Sequence, residues 1–342
     1  MNLDPRVKRA LPWVLYPLAY LVLFVIFAYV AFPFERLKER VVVSYNAAQQ
    51  ESAQPGRIEI GKITWSWRFP GLVVKDVNLY GPKPKPPAEG EKATPQRHSK
   101  VDSLYVGVSV LSYLFGTTKV TFDVDGFEGE LSGEVTVSKT DQKSSIELTN
   151  VNAGQLPGVA ETLQLPLSGS ASGKIELRLP DGKYSLADGT IDLTVEDVKI
   201  GDGQTKIRDL LALPTVAAGT LTVKATATQG RIKIEKFTTK GPDLEAEAEG
   251  RVRLRDKLSG SLVEQLGLSF KFSDKYRDRD DSTRALLGKA GDSMGGVIDF
   301  DPKVKQAKQA DGSYSWKVTG LFSSLAFTPS RGPSTPAAAA HK

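Results

Sequence analysis

Cysteine is absent from the 342 residues, and histidine and methionine occur only twice each. Without thiols there can be no disulfide, no thiolate zinc centre and no cysteine nucleophile. His98 and His341 both lie in polar stretches, which argues against imidazole metal sites and Ser-His-Asp catalysis. A strong charge imbalance is missing too: 45 Lys and Arg face 40 Asp and Glu, a formal +5. Basic and acidic residues alternate along the chain, as on solvated faces, so no nucleic-acid partner is expected. No cofactor and no metal are expected either.

What is present is an uncharged run over residues 10–34, beginning at Ala10. As a helix it would reach roughly 37 Å, against a bilayer core of about 30 Å. Trp13, Tyr16 and Tyr20 would anchor one interface and Phe32 and Phe34 the other, with Phe24 and Phe27 in the span between. Arg6, Lys8 and Arg9 precede the run, opposed only by Asp4, whereas Glu35 and Glu39 offset the basic residues behind it. The positive-inside rule then leaves residues 1–9 in the cytoplasm and sends the body across the membrane. A cleaved signal peptide has a shorter apolar core, and Tyr29 is misplaced for cleavage after Ala31, so a retained single-pass anchor is expected.

Residues 35–55 read as a helical stalk lifting the next segment off the membrane. Residues 56–328 read as a β domain, with 81–100 a Pro- and Lys-rich mobile loop and 329–342 a disordered tail. Ile58 and Ile60 alternate with charged residues, and Gly61-Lys62 shifts the phase as a bulge would. Ile63, Trp65, Trp67 and Phe69 continue on the other parity. The same alternation recurs at 175–179, 191–195, 221–225, 232–237 and 244–254, punctuated by Asp181-Gly182, Asp188-Gly189, Asp202-Gly203 and Gln229-Gly230. This is the pattern of antiparallel strands with one wet and one dry face. Short helices are expected at 111–115, 156–165, 206–218 (bent by Pro214) and 282–290, the last capped by Asp280, Asp281 or Ser282. Residues 316–327 read as one last strand that changes parity at Gly320.

A one-sided sheet must cover its dry face. It can curl on itself as a sandwich or barrel, which is the default expectation, lie under its short helices, or form a groove open to acyl chains. Trp65, Trp67, Leu193 and Ile234 are the candidate core or groove-lining residues. Exposed sheet edges would also suit strand addition to a partner. No catalytic residues emerge. Asp274, Asp278, Asp280 and Asp281 lack calcium-loop spacing and sit beside Arg277 and Arg279. Asp123, Asp125, Glu128 and Glu130 alternate as a wet strand face does. Residues 169–173 lack the Lys-Thr of a phosphate loop.

The order of elements resembles the protein N family of the type II secretion system, and the wider AsmA-like group of anchored, groove-forming β proteins. The likeness is carried by the single span followed by residues 60–65 and 69–72, by 165–173, by 230–253, and by the polar segment 276–291 before the Asp311-Gly312 hairpin. It implies an elongated, curved antiparallel sheet of groove or sandwich form. It also implies a non-enzymatic inner-membrane accessory of protein export that docks to other secretion subunits. The alternative it implies is a lipid-binding or lipid-transfer protein of the cell envelope.

Overall fold

The computed structural model describes residues 13, 15–17, 19–20, 22–24, 26–27, 30–50, 56–66, 71–81, 98–156, 166–202, 206–207, 211–212, 214–289, 295–322 and 324–330. After helix α1 (Phe34–Gln50) come β1 (Arg57–Trp65), β2 (Gly71–Tyr80) and β3 (His98–Val108). The short helix α2 (Val110–Leu114) leads to β4 (Thr118–Gly126), β5 (Gly129–Val137), β6 (Asp141–Asn152), β7 (Leu167–Pro180) and β8 (Asp188–Ile200). Two-residue pieces β9 (Lys206–Ile207) and β10 (Leu211–Ala212) precede β11 (Val216–Thr228), β12 (Arg231–Lys240), β13 (Leu244–Arg253) and β14 (Leu262–Phe272). Helices α3 (Asp274–Arg277), α4 (Asp281–Leu287) and α5 (Pro302–Ala307) then interrupt the strands before β15 (Tyr314–Leu321) and β16 (Ser324–Pro329).

Fourteen of these strands form one antiparallel sheet in the order β1 to β8 and then β11 to β16; β9 and β10 make a separate small ladder. Each strand pairs with the strand before it, so every connection is local. Tight turns make this possible. Gln229-Gly230 joins β11 to β12 with φ of 47° and 72°, and Phe127-Glu128 joins β4 to β5 with φ of 55° and 61°. Positive φ at both central residues suits the twist of the flanking strands. Phe127 and Glu128 adopt it without glycine, and burial of the Phe127 ring in the core accompanies that choice.

Strict antiparallel order gives the sheet two distinct ends. β1, β3, β5, β7, β11, β13 and β15 all finish at the end marked by Trp65; the other strands finish at the far end. The far end is packed. Residues 273–289 and 295–313 fold over it, with Tyr276 fully buried and its hydroxyl donating to the Pro214 carbonyl at 2.8 Å. Arg279 Nη1 donates to the Thr215 carbonyl at 2.9 Å. Leu286 and Leu287 join Val151, Val198, Val216 and Ala218 in the largest buried cluster. A smaller cluster of Leu179, Ala187, Val252, Leu254 and Val263 lies at the Trp65 end, beneath the loops that follow β7 and β13.

Helix α1 packs along the edge strand β1. Its Lys38 Nζ donates to the Gly61 carbonyl at 2.9 Å, and its Asn46 Oδ1 accepts from the Ile58 amide at 2.9 Å. It thereby occupies edge groups that could otherwise recruit another strand. The helix expected over 35–55 is therefore real to Gln50, but its side chains join the body, with Phe34, Leu37 and Val42 against the core.

Several expectations need correction. The strands expected along the chain share one fourteen-stranded antiparallel sheet, apart from the small β9–β10 ladder. The helix expected over 206–218 is absent: its described parts are β9, β10 and the start of β11. Val216 and Ala217 pair with Ile200 and Lys199, and this ladder overrides the helical preference of an Ala-rich stretch. Residues 316–327 are not one strand but the β15–β16 hairpin, so the parity change at Gly320 marks the approach to a turn. The phase shift at Gly61 is real, yet Gly61 faces Asp76 and both strands switch together, with Asp76 at φ 54°. The loop expected over 81–100 already enters β3 at His98. The helix expected over 156–165 lies outside the described residues from 157, as do Trp67, Phe69 and the tail from 331. Among the described residues, no helix is long and apolar enough to cross a membrane.

Gly230 tests the turn chemistry. A Cβ there would meet the Ser185 carbonyl oxygen at 2.2 Å, on a residue with φ of 72°. Gly230→Ala should cost about 1–2 kcal/mol from the backbone alone, and more from the contact. The urea midpoint should fall at unchanged slope; an unchanged midpoint would refute this reading of the turn.

Candidate functional site: an apolar row across the sheet

Directly opposed residues of antiparallel neighbours share a face, so the register can be followed from strand to strand. From Trp65 it runs through Leu72, Val106, Phe122, Gly133, Ile146 and Ile175. It continues through Ile191, Ala225, Ile234, Gly250, Leu266 and Val318 to Phe327. No polar side chain interrupts it from one edge of the sheet to the other. At about 4.8 Å per strand the row is roughly 60 Å long. Its two glycines are covered by neighbours. A Cβ on Gly133 would touch the Phe122 ring at 2.7 Å, and one on Gly250 would meet Leu266 Cδ1 at 3.0 Å.

Burial along the row is incomplete. Ala225 and Val318 are buried and Phe327 is exposed, while every other member is half-buried. The row lies between the two buried clusters, and all substantial contacts among strands are with sheet neighbours or next neighbours. The opposite face is wet and charged. Lys224 pairs with Asp192 across β11 and β8 at 2.7 Å, Arg178 with Asp141 across β7 and β6 at 2.9 Å, and Lys119 with Glu134 across β4 and β5 at 2.6 Å. Lys224–Asp192 and Lys119–Glu134 are solvated on both sides and contribute little to stability, whereas Asp141 is partly buried.

The residues singled out in the sequence fall into place unevenly. Ile234 is in the row. Leu193 lies two residues from Ile191 on the same face, in a parallel row with Val124, Leu131, Leu148 and Val223. Trp65 begins the row but is stacked by Phe32 and Phe34, with ring centroids 5.1 and 5.5 Å away. Trp13, Tyr16, Tyr20, Phe24 and Phe27 are helical and exposed; Arg6, Lys8, Arg9 and Ala10 lie outside the described residues. Phe122 and Ile146 went unmarked in the sequence, while Ile175 and Ile191 were marked only as members of apolar strand faces. Their signal was their distance from the turns: Phe122 and Gly133 are symmetric about Phe127-Glu128, as Ala225 and Ile234 are about Gln229-Gly230.

The acidic groups have local employment. Asp280 caps α4: its Oδ1 accepts from the Thr283 amide at 2.8 Å, while its own amide donates to Thr283 Oγ1 at 3.1 Å. That backbone bond, with Arg279 beside it, holds the Asp280 carboxyl below its ordinary range. Asp281 pairs with Arg284. Asp123, Asp125, Glu128 and Glu130 are all exposed, with Asp125 opposite Glu130. Among the described residues no group of three or more His, Asp or Glu could hold a metal ion. Burial pushes the Tyr276 phenol up to about 12, so it stays a neutral donor to Pro214.

The fold and its face together define a single-sheet antiparallel protein with one charged and one apolar surface. No family model matches this chain, and no curated protein and no solved structure matches it either.

Two measurements check the site. Leu287 is 2% exposed, and Leu287→Ala should cost about 2–5 kcal/mol. Half-buried Ile175→Ala should cost clearly less, about 1–2 kcal/mol; equal losses in chemical denaturation would mean that the row is covered. For Asp280, a carboxyl held low stabilises the fold above its unfolded value and loses that contribution as pH falls through its folded value. The thermal midpoint of the wild type should therefore exceed that of Asp280→Asn near neutrality, and the gap should close below about pH 4. A gap that persists in acid would rule the charge out.

Proposed function

We propose that this chain is a bitopic, periplasm-facing inner-membrane accessory component of the type II secretion pathway, acting by protein–protein assembly without catalysis. The observation that carries this reading is the element order. An apolar N-terminal segment, a helix on the first strand, one long antiparallel meander and a helical insertion before a closing hairpin recur in the order on which the resemblance to protein N rests. The anchor is supported by side chains without partners. Trp13, Phe24 and Phe27 are 81%, 69% and 71% exposed, and Leu15, Tyr16 and Tyr20 are exposed too among the described residues of this helical stretch. Such a helix suits lipid better than water.

The two sheet edges differ in a way that suits assembly. α1 guards β1, whereas β16 is short and carries exposed Leu325 and Phe327. Its outer side is where a strand from another secretion subunit would add. A sheet of fourteen strands must also curl or coil, and the bulges in β6, β8, β11 and β12 bend it further. Curled around its dry face, the sheet takes the groove form of the AsmA-like group.

That face favours a second reading. A half-buried apolar row about 60 Å long would hold the acyl chains of envelope lipids.

Deletion of the chain from its host should reduce hydrolases released into the medium; normal secretion would sink the first reading. Photo-crosslinkers at Trp65, Leu193 and Ile234 separate the two, since acyl adducts support the lipid reading and protein adducts the assembly reading. A C-terminal reporter should be active only on the periplasmic side, and a cytosolic signal would overturn both.

A further inference from the structure

Apolar side chains fringe one end of the sheet. Beyond β2, sixteen large apolar residues are exposed, and twelve of them lie in or beside the connections at the Trp65 end. The densest group is α2 with its flank: Leu111, Tyr113, Leu114 and Phe115 are 70–82% exposed. The turn satisfies its own backbone. Ser109 caps it, and the Phe115 and Gly116 amides donate to carbonyls of residues 111–113, leaving bare side chains outward. Val137, Tyr184, Leu186, Leu258 and Phe322 extend the fringe across the sheet. At the far end only Val297 and Phe300 are comparably exposed among the described residues.

The charges at this end match a lipid surface. Within the connections, Lys139, Lys183, Arg255 and Lys257 face only Asp181 and Asp256, and Asp256 accepts from the Ser185 amide at 3.1 Å. Apolar tips among lysines and arginines are the composition of segments that lie in an anionic interface. Continuity points the same way. Phe32 and Phe34 pack on Trp65, so the apolar run that ends there leaves the body from this end.

We propose that the Trp65 end of the sheet stands in the headgroup layer of the bilayer that holds residues 10–34, with α2 and the neighbouring loops as shallow feet. This rests on the anchor reading above. The strands then rise from the membrane surface, and the apolar row opens a short distance above the headgroups rather than at the end of a free stalk.

The absence of cysteine makes the test direct. The full chain, carrying one of Phe24→Cys, Leu114→Cys, Phe322→Cys or Phe300→Cys, is labelled with an environment-sensitive fluorophore. It is then reconstituted in vesicles of phosphatidylethanolamine and phosphatidylglycerol containing a doxyl-labelled lipid. Labels at 24, 114 and 322 should be quenched about two-fold or more, with little change at 300. Quenching at 24 without quenching at 114 and 322 would overturn the feet while leaving the anchor intact. Quenching at 114 and 322 without 24 would uphold the feet and remove the anchor. Blue-shifted but unquenched labels at 114 and 322 would assign this end to a protein partner and overturn the proposal.

Discussion

The whole body depends on one constraint: every strand must hydrogen-bond to neighbours, and its side chains must alternate between two faces. When fourteen strands pair in simple succession, this alternation is transmitted unchanged from one edge to the other. All apolar residues of matching register then fall in one row, and all charged residues fall behind them. A dry surface tens of ångströms long is the direct product of that rule.

The molecule resolves this unevenly. At the far end, residues 273–289 and 295–313 supply helices that bury Tyr276 and Leu287 and close the core. At the edge formed by β1, α1 occupies backbone groups through Lys38 and Asn46. At the Trp65 end the loops after β7 and β13 cover only the smaller cluster of Leu179, Ala187, Val252, Leu254 and Val263, and the middle row is half-buried. The unsatisfied surfaces thus gather on the side from which the apolar N-terminal segment departs. Stability and exposure are segregated along the strand axis, and the exposed side is the one that a membrane would meet.

Strand positions were legible because alternation is local. Ile175, Leu177 and Leu179 or Ile191, Leu193 and Val195 announce their faces without reference to anything distant. Turn glycines such as Gly230 were legible for the same reason. Failures came where two local signals competed. Residues 206–218 carry Ala and Leu that favour a helix, yet Val216 had a waiting partner in Ile200. The stretch 316–327 looked continuous because a hairpin turn at Phe322 contains no glycine or proline of its own. How the dry face is covered was not legible, since a sandwich and an open sheet use the same alternation.

The sequence by itself determined the positions and two-faced character of many strands, the lack of thiol chemistry and the uncharged N-terminal run. These follow from nearest-neighbour chemistry, which the chain order contains. Tertiary structure alone decided that fourteen strands share one sheet, that Trp65 and Phe327 end the same row, and that exposed Leu114 and Phe322 lie at one end. Those facts depend on register and strand direction, set by hydrogen bonds between residues far apart in the chain.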